Sequence, residues 1–120
     1  MAYHNEFGKE AEMKAFYYLL DIGYEILDRN WKYDKAEIDI IAKNSSELVI
    51  VEVKARNYTT IIDPIEAVTR SKRKLLIKAA NEYVLCKEID ANVRFDIISI
   101  IKKDYRWQIE HIKDAFSMIL

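Results

Sequence analysis

Apolar positions recur at helical spacing near the start of the chain and alternate with polar positions further on. Ala11, Ala15 and Leu19 mark one helical face, which predicts a helix over residues 6–21 that ends before Gly23. The later pattern predicts strands over residues 24–31, 36–43 and 48–56, a helix over 64–85, and strands over 91–101 and 105–112. This αβββαβ(β) order predicts an α/β fold in a single domain over residues 1–120.

Two predicted strands, over residues 36–43 and 48–56, carry acids where strands usually carry apolar or neutral side chains. The segment 44–47 between them has turn composition, so the strands are expected to form a hairpin. A turn centred between Ser45 and Ser46 makes one hairpin face wholly apolar, and a one-residue slip would destroy that face. The apolar face then comprises Ile38, Ile40, Ala42, Val49, Val51 and Val53.

The same register places Asp39 opposite Glu52, and Glu37 opposite Lys54. Facing carboxylates with Cβ atoms ~5 Å apart repel each other, unless a cation lies between them or one is protonated. Mg²⁺ prefers such oxygen ligands, and Lys54 beside it would orient or deprotonate a water molecule. This arrangement suits metal-assisted phosphodiester hydrolysis. The alternative interpretation is an exposed strand face with ion pairs, chiefly between Glu37 and Lys54.

Other charged residues allow two interpretations each. Glu12 borders the apolar face of the first helix, so it either approaches the cation site or keeps its carboxylate in solvent. Lys72 replaces an expected core residue in the second helix, and it must therefore reach solvent, an acid or a phosphate. The nearby cations Arg70 and Arg73, extended by Arg56, form either a solvated face or a surface for a nucleic-acid backbone.

The late strand begins with Arg94, Phe95 and Asp96. Charges on a buried strand normally pair, so an internal salt bridge between Arg94 and Asp96 is expected. Beyond the last strand, residues 114–120 are expected to form a short helix or an apolar tail packed on the body.

The formal net charge is −1, which argues against a histone-like wrapping protein but leaves room for a local basic patch. The lone Cys86, expected as a small buried residue at a helix end, cannot form an internal disulfide and fits a reducing cytoplasm. No stretch has the charge and apolar pattern of a signal peptide or the ~20 apolar residues of a membrane span. A cytoplasmic protein that does not enter a membrane is therefore expected.

Several segments together resemble the YraN-like family, also called UPF0102, within the PD-(D/E)XK nuclease superfamily. They are Gly8, Ala11-Glu12, Tyr18-Leu19, Gly23-Tyr24-Glu25-Ile26-Leu27, Arg29-Asn30-Trp31, Ala36-Glu37-Ile38-Asp39-Ile40-Ile41-Ala42, Val51-Glu52-Val53-Lys54-Ala55-Arg56 and Arg94-Phe95-Asp96-Ile97-Ile98. The resemblance covers nearly the whole chain. It departs from the family pattern at Ala11 and Ala36, where the family often has glycine.

The resemblance implies a restriction-endonuclease-like αβββαβ core, with a mixed central sheet flanked by helices. It implies that Asp39 and Glu52 bind Mg²⁺ or Mn²⁺ and that Lys54 is the catalytic lysine. Glu12 matches the helix acid of archaeal Holliday-junction resolvases, which act as dimers on branched DNA. By analogy, a homodimer and a DNA partner are expected here.

The leading hypothesis is a cytoplasmic, Mg²⁺-dependent nuclease that acts on DNA, for example at branched or damaged sites. In it Lys54 positions the attacking water, and Lys72 and Arg56, with Arg70 and Arg73, bind phosphates. One rival is a non-catalytic nucleic-acid-binding or adaptor protein that retains the nuclease fold. A third hypothesis is a structural assembly subunit, which predicts neither metal binding nor DNA binding.

Overall fold

The computed structural model describes residues 6–59 and 62–118 of the chain. Its elements are α1 (Glu6–Asp21), β1 (Glu25–Tyr33), β2 (Ala36–Lys43), β3 (Glu47–Asn57), α2 (Pro64–Ala67), α3 (Arg70–Lys87), β4 (Asn92–Lys103) and β5 (Arg106–Phe116). The predicted α/β class is confirmed, and the bounds of the first helix and of β2 agree with those expected. Gly23 follows α1 with φ +93°, a left-handed conformation that glycine adopts without strain.

The five strands form one mixed sheet in chain order, with β3 and β4 parallel and all other neighbours antiparallel. Helices lie on both faces, so both faces of the central strands are buried. The core on the α3 face includes Ile38, Ile41, Leu48, Ile50, Leu76, Ala79, Tyr83, Phe95 and Ile97. The core on the α1 face includes Ala11, Ala15, Leu19, Ile40, Ala42, Val49, Val51, Val53, Ile98 and Ile100.

The hairpin register predicted for β2 and β3 is confirmed near the turn. Ile40 pairs with Val51 and Ala42 with Val49, and the β2–β3 ladder ends at the first of these pairs. The prediction of one apolar face was wrong for Ile38, which packs in the core on the α3 face. On the N-terminal side of Ile40, β2 remains paired with β1 but not with β3. This end of β2 can therefore bend away from β3.

A single helix after Asp63 was also expected, and the structure has two. Asp63 caps α2 by accepting a hydrogen bond from the Ile65 amide at 2.9 Å. Val68 then adopts an extended conformation, and Thr69 caps α3 by accepting a 3.2 Å bond from the amide of Lys72. The threonine hydroxyl satisfies an N–H group that a new helix leaves without a partner, so the chain starts a second helix there.

The end of the chain differs from the expected helix. Residues 114–116 continue β5, because Phe116 is buried and stacks on Phe95 with ring centroids 5.0 Å apart. The apolar tail is thus confirmed for Phe116, while residues 119–120 lie outside the described part of the chain. Within that described part, no helix is long and apolar enough to cross a membrane.

The expectation that Cys86 is buried was wrong. The thiol lies on the exposed last turn of α3, next to the exposed Leu85. The last residue of α3 that lies fully in the core is Tyr83, so the helix extends beyond the apolar core before it ends.

Candidate functional site

Asp39 lies in β2 just beyond the end of the β2–β3 ladder, and it is 1% exposed. Its Oδ2 accepts a 2.7 Å hydrogen bond from the amide of Val53, so the side chain takes a role that a backbone carbonyl has in a regular ladder. Burial raises the pKa of Asp39 well above its usual range, and the neighbouring Glu52 carboxylate raises it further. Asp39 and Glu52 therefore lie close together. The prediction that they form a ladder pair was wrong, because the β2–β3 ladder ends at Ile40 and Val51.

Glu52 in β3 contacts two lysines and has a side chain that is only 2% exposed. Its Oε2 is 3.7 Å from the Nζ of Lys54 and 3.1 Å from the Nζ of Lys72. Of the three alternatives expected for Lys72, which were solvent, an acid or a phosphate, the structure shows an acid, Glu52. Burial lowers the pKa of Lys72, but the charges of Glu52 and Asp39 raise it, and the net shift is upward.

Three buried side-chain oxygens have no hydrogen-bond partner among the described residues: Glu37 Oε1, Asp39 Oδ1 and Glu52 Oε1. All three belong to carboxylates on two neighbouring strands. A buried unpaired carboxylate oxygen is costly, and a hard cation such as Mg²⁺ or Mn²⁺ prefers such ligands. The oxygens of Asp39 and Glu52 thus fit a divalent cation. No group of three or more acids, histidines or cysteines placed to hold a metal occurs among residues 6–59 and 62–118.

Glu12 reaches the site from α1. It is 8% exposed, which favours the interpretation that Glu12 approaches the site over the one that keeps its carboxylate in solvent. Its Oε1 accepts a 3.0 Å bond from the side-chain amide of Asn30, and its charge contributes to the raised pKa of Asp39. Sequence reasoning gave Asn30 no role. In the structure it lies inside β1 with φ 50°, a left-handed conformation in which asparagine is enriched.

Glu37 pairs with a different lysine from the one predicted. Its Oε2 is 3.9 Å from the Nζ of Lys32, its ladder partner in β1, whereas Lys54 points to Glu52. The expected Glu37–Lys54 pair was therefore wrong, because the β2–β3 ladder ends before these residues face each other.

The predicted phosphate-binding cations lie in three kinds of surroundings. Arg70 is exposed at the start of α3, whereas Lys72 is bound to Glu52. Arg73 donates hydrogen bonds to the carbonyls of Ile65 and Val68, so it joins α2 to α3. These contacts give Arg73 a structural task, and its role with DNA stays a prediction.

Arg56 is also held by the protein itself. It donates from Nε to the hydroxyl of Ser99 at 3.2 Å and from Nη1 to the carbonyl of Ile62. These bonds fix the guanidinium on β3, on the strand that carries Glu52 and Lys54. Its proposed contact with phosphate likewise stays a prediction.

A second buried acid, Asp96, lies one strand away and is fully paired. The predicted bond with Arg94 is confirmed, since the guanidinium donates to both carboxylate oxygens at 2.8 Å. His111 Nε2 is 2.7 Å from Oδ2, and the Asp114 amide donates to Oδ1 at 3.0 Å. Burial raises the pKa of Asp96, but the bonds to His111 and Arg94 lower it, and the net shift is downward. Sequence spacing gave no signal for His111, whose partners Asp96 and Tyr18 are remote in the chain.

Comparisons with known proteins give a consistent result. The model of the family described as "Uncharacterised protein family UPF0102" matches residues 11–100, a range that includes every acid and lysine of the site. A UPF0102 protein of Flavobacterium psychrophilum is 47% identical over 97% of this chain and 98% of its own length. UPF0102 proteins of Christiangramia forsetii and Bacteroides thetaiotaomicron are 48% and 47% identical, over 97% of this chain and 98% and 96% of their own lengths.

Proposed function

The chain belongs to the uncharacterised protein family UPF0102, and we propose that it is a metal-dependent nuclease that hydrolyses phosphodiester bonds in DNA. One observation carries this proposal. Asp39 and Glu52 are buried side by side, each with an unpaired carboxylate oxygen, and Lys54 lies 3.7 Å from Glu52. The proposal places the chain in the PD-(D/E)XK superfamily, with a restriction-endonuclease-like core.

Asp39 and Glu52 would hold Mg²⁺ or Mn²⁺ through their unpaired oxygens, with Glu12 adding negative charge nearby. When bound, the cation supplies Lewis-acid stabilisation of the negative charge that develops on the phosphate. Because the pKa of Asp39 is raised, a proton competes with the cation for this carboxyl group wherever the pH lies below that pKa. Binding is therefore coupled to pH.

The two lysines have separate tasks in this proposal. Lys54 donates hydrogen bonds that orient the attacking water, and its charge favours the nucleophilic form of that water. Lys72, from the first turn of α3, also contacts Glu52 and would bind a non-bridging phosphate oxygen of the substrate. Arg70, exposed on the same turn, contacts the neighbouring phosphate.

The test is cleavage of duplex, single-stranded and four-way-junction DNA in the presence of Mg²⁺ or Mn²⁺. The wild type is expected to cleave at least one of these substrates, and Asp39→Ala and Lys54→Ala to lose that activity. Lys74→Ala, which removes an exposed lysine of α3, is the matched control and should keep it. A Lys54→Ala protein that cleaves as fast as the wild type would refute the proposed role of Lys54.

A specific observation also favours a second function, that of a non-catalytic DNA-binding or adaptor protein. Both lysines already neutralise Glu52, so the described site balances its charges without a cation. Calorimetric titration with Mn²⁺ separates the two functions. Binding that disappears in Glu52→Ala supports the nuclease, whereas DNA binding without any metal binding supports the adaptor. Branched DNA and a homodimer remain proposals, for which the junction substrate and the oligomeric state in solution are the tests.

A further inference from the structure

One sheet face carries the site residues of β3 and continues beyond them towards the end of that strand. Residues two positions apart in a strand share a face, so Lys54 and Arg56 lie on the same face as Glu52. The hydrogen bond from Arg56 to Ser99 shows that this face extends to β4, where Ser99 is the ladder partner of Lys54.

The same face ends in exposed cations on the next two strands. Lys103 lies four residues after Ser99 in β4 and is the ladder partner of Arg106 in β5, so all three share the face. The Nζ of Lys103 is 5.2 Å above the ring of Tyr58, which directly follows β3 and is 57% exposed. A tyrosine ring and two cations thus lie together, in line with Glu52 and Lys54.

We propose that Tyr58, Lys103 and Arg106, here called the β3–β5 basic surface, bind a single-stranded DNA segment that leads away from the candidate active site. This inference rests on the proposed function, because it assigns the path of the strand that the site would cleave. Exposed aromatic rings stack on bases, and adjacent cations bind the phosphates between them; this combination is typical of single-strand binding. The bases of a duplex are already stacked on each other, so an exposed ring favours unpaired bases.

The spacing suits a strand that spans both places. Glu52 and Tyr58 are six residues apart, or roughly 20 Å along an extended strand, a distance that a short single-stranded DNA segment can span. A cavity of about 330 Å³ lies at the outer end and is lined by Lys103, Asp104, Tyr105, Arg106 and Gln108. Tyr105 is 96% exposed there and offers a second ring. Asp104 is the acid of this cavity, and Lys103 and Arg106 outweigh its charge.

The opposite face supplies a matched control. Lys102 precedes Lys103 in β4 but pairs with Trp107, and its Nζ lies 5.1 Å above that indole ring. Trp107 packs against the core on the α1 face. Lys102→Ala therefore removes the same charge from the neighbouring position without touching the β3–β5 basic surface.

The experiment measures the affinity for a short fluorescent oligothymidylate by anisotropy, with EDTA present so that no cleavage occurs. Tyr58→Leu is expected to lower the affinity by roughly tenfold and to leave its salt dependence unchanged, because only stacking is lost. Lys103→Ala is expected to reduce the slope of log affinity against log salt by about 0.7, which corresponds to one lost phosphate contact. Lys102→Ala is expected to change neither quantity.

Three results would overturn the inference. They are equal effects of Lys103→Ala and Lys102→Ala, an unchanged affinity in Tyr58→Leu, and tighter binding of oligouridylate than of oligothymidylate. The outcome is separable from that of the proposed function. Binding with these mutational effects but no cleavage by the wild type upholds the surface and refutes the nuclease. Cleavage that depends on Lys54, without these binding effects, supports the nuclease and refutes the proposed role of the β3–β5 basic surface.

Discussion

Two buried aspartates on nearby strands of one sheet have opposite surroundings. Asp96 has no exposed side-chain surface and contacts Arg94, His111 and the Asp114 amide. Asp39 is as deeply buried, yet among the described residues its Oδ2 accepts a bond from the Val53 amide, its Oδ1 has no partner, and its neighbour Glu52 is also an acid. Burial alone therefore does not separate these two acids, but hydrogen-bond satisfaction does.

The pKa shifts express the same difference. The partners of Asp96 lower its pKa in spite of burial, whereas burial and the charges of Glu52 and Glu12 raise that of Asp39. A carboxylate held ionised by its partners stabilises the fold, and one with a raised pKa is destabilised when it ionises. Ionised Asp39 thus destabilises the folded state, whereas ionised Asp96 stabilises it. This difference is expected when only Asp39 binds a ligand.

The comparison predicts the largest effect for Asp39→Asn. The rate of metal-dependent DNA cleavage should fall at least roughly 10³-fold, because the cation loses a charged ligand. The free energy of unfolding should stay the same or rise by about 1 kcal/mol, since the amide oxygen still accepts the Val53 bond without a buried like charge. Cleavage kinetics and urea unfolding check the two parts. A large loss of stability would make Asp39 a structural acid like Asp96.

Asp96→Asn is expected to have the opposite profile. Removal of the carboxylate leaves Arg94, with 13% of its side chain exposed, without its bidentate partner. The free energy of unfolding should fall by about 3 kcal/mol, as is usual when a buried ion pair is broken. Urea unfolding measures this loss. A change below about 1 kcal/mol would show that His111 and Arg94 find other partners.

The pH dependence of stability should separate the two acids. The folded state holds a proton on Asp39 above the unfolded pKa of about 4, so stability falls as the pH rises from there to the raised pKa. The lowered pKa of Asp96 gives stability that is present above about pH 4 and is lost as the pH falls through the folded pKa. Urea unfolding across pH checks both trends. Asp39→Asn should reduce the loss of stability as the pH rises, and Asp96→Asn should reduce the loss of stability as the pH falls. Identical pH profiles in both variants would refute the assignment.

The smallest effect is expected for Lys72→Met. Lys72 and a divalent cation compete for the Glu52 carboxylate, so removal of the ammonium should strengthen Mn²⁺ binding by a factor of roughly two to five. Lys74→Met, which changes an exposed lysine of the same helix, should leave it unchanged. Calorimetry provides the affinities. Weaker Mn²⁺ binding in Lys72→Met would mean that the lysine supports the cation instead of replacing it.

Local patterns predicted most of the fold. Alternation and turn composition set the pairing of Ile40 with Val51, because a slip of one residue would bring Glu52 onto the apolar face. The break at Val68 and Thr69 was not predicted, since helical periodicity continues across it and only the Thr69 cap marks a new start. β5 continues beyond its predicted end to Phe116. The contact of Phe116 with Phe95 joins residues of two different strands, so the local sequence pattern did not predict it.

The candidate site was predictable where it depended on one hairpin. Register brought Asp39 towards Glu52, and the apolar periodicity of the second helix singled out Lys72. Asn30 and His111 could not be found in this way, because their partners come from other elements of the fold. The predicted pairing of Glu37 with Lys54 was wrong, because the β2–β3 ladder was expected to continue past Ile40, where the two strands separate. Glu37 pairs with Lys32 instead.

The two acids also differ in how much of the chain must be in place before their surroundings are complete. Asp39 meets the Val53 amide across 14 positions. Asp96 contacts Arg94 and His111 across 2 and 15 positions, but these two partners reach Tyr24 and Tyr18 across 70 and 93 positions. Closure of short loops costs less entropy, so during synthesis the β2–β3 hairpin can form before β5 has left the ribosome. The Asp96 cluster then completes the fold, and it tethers the last strand to the first helix only when the chain is whole.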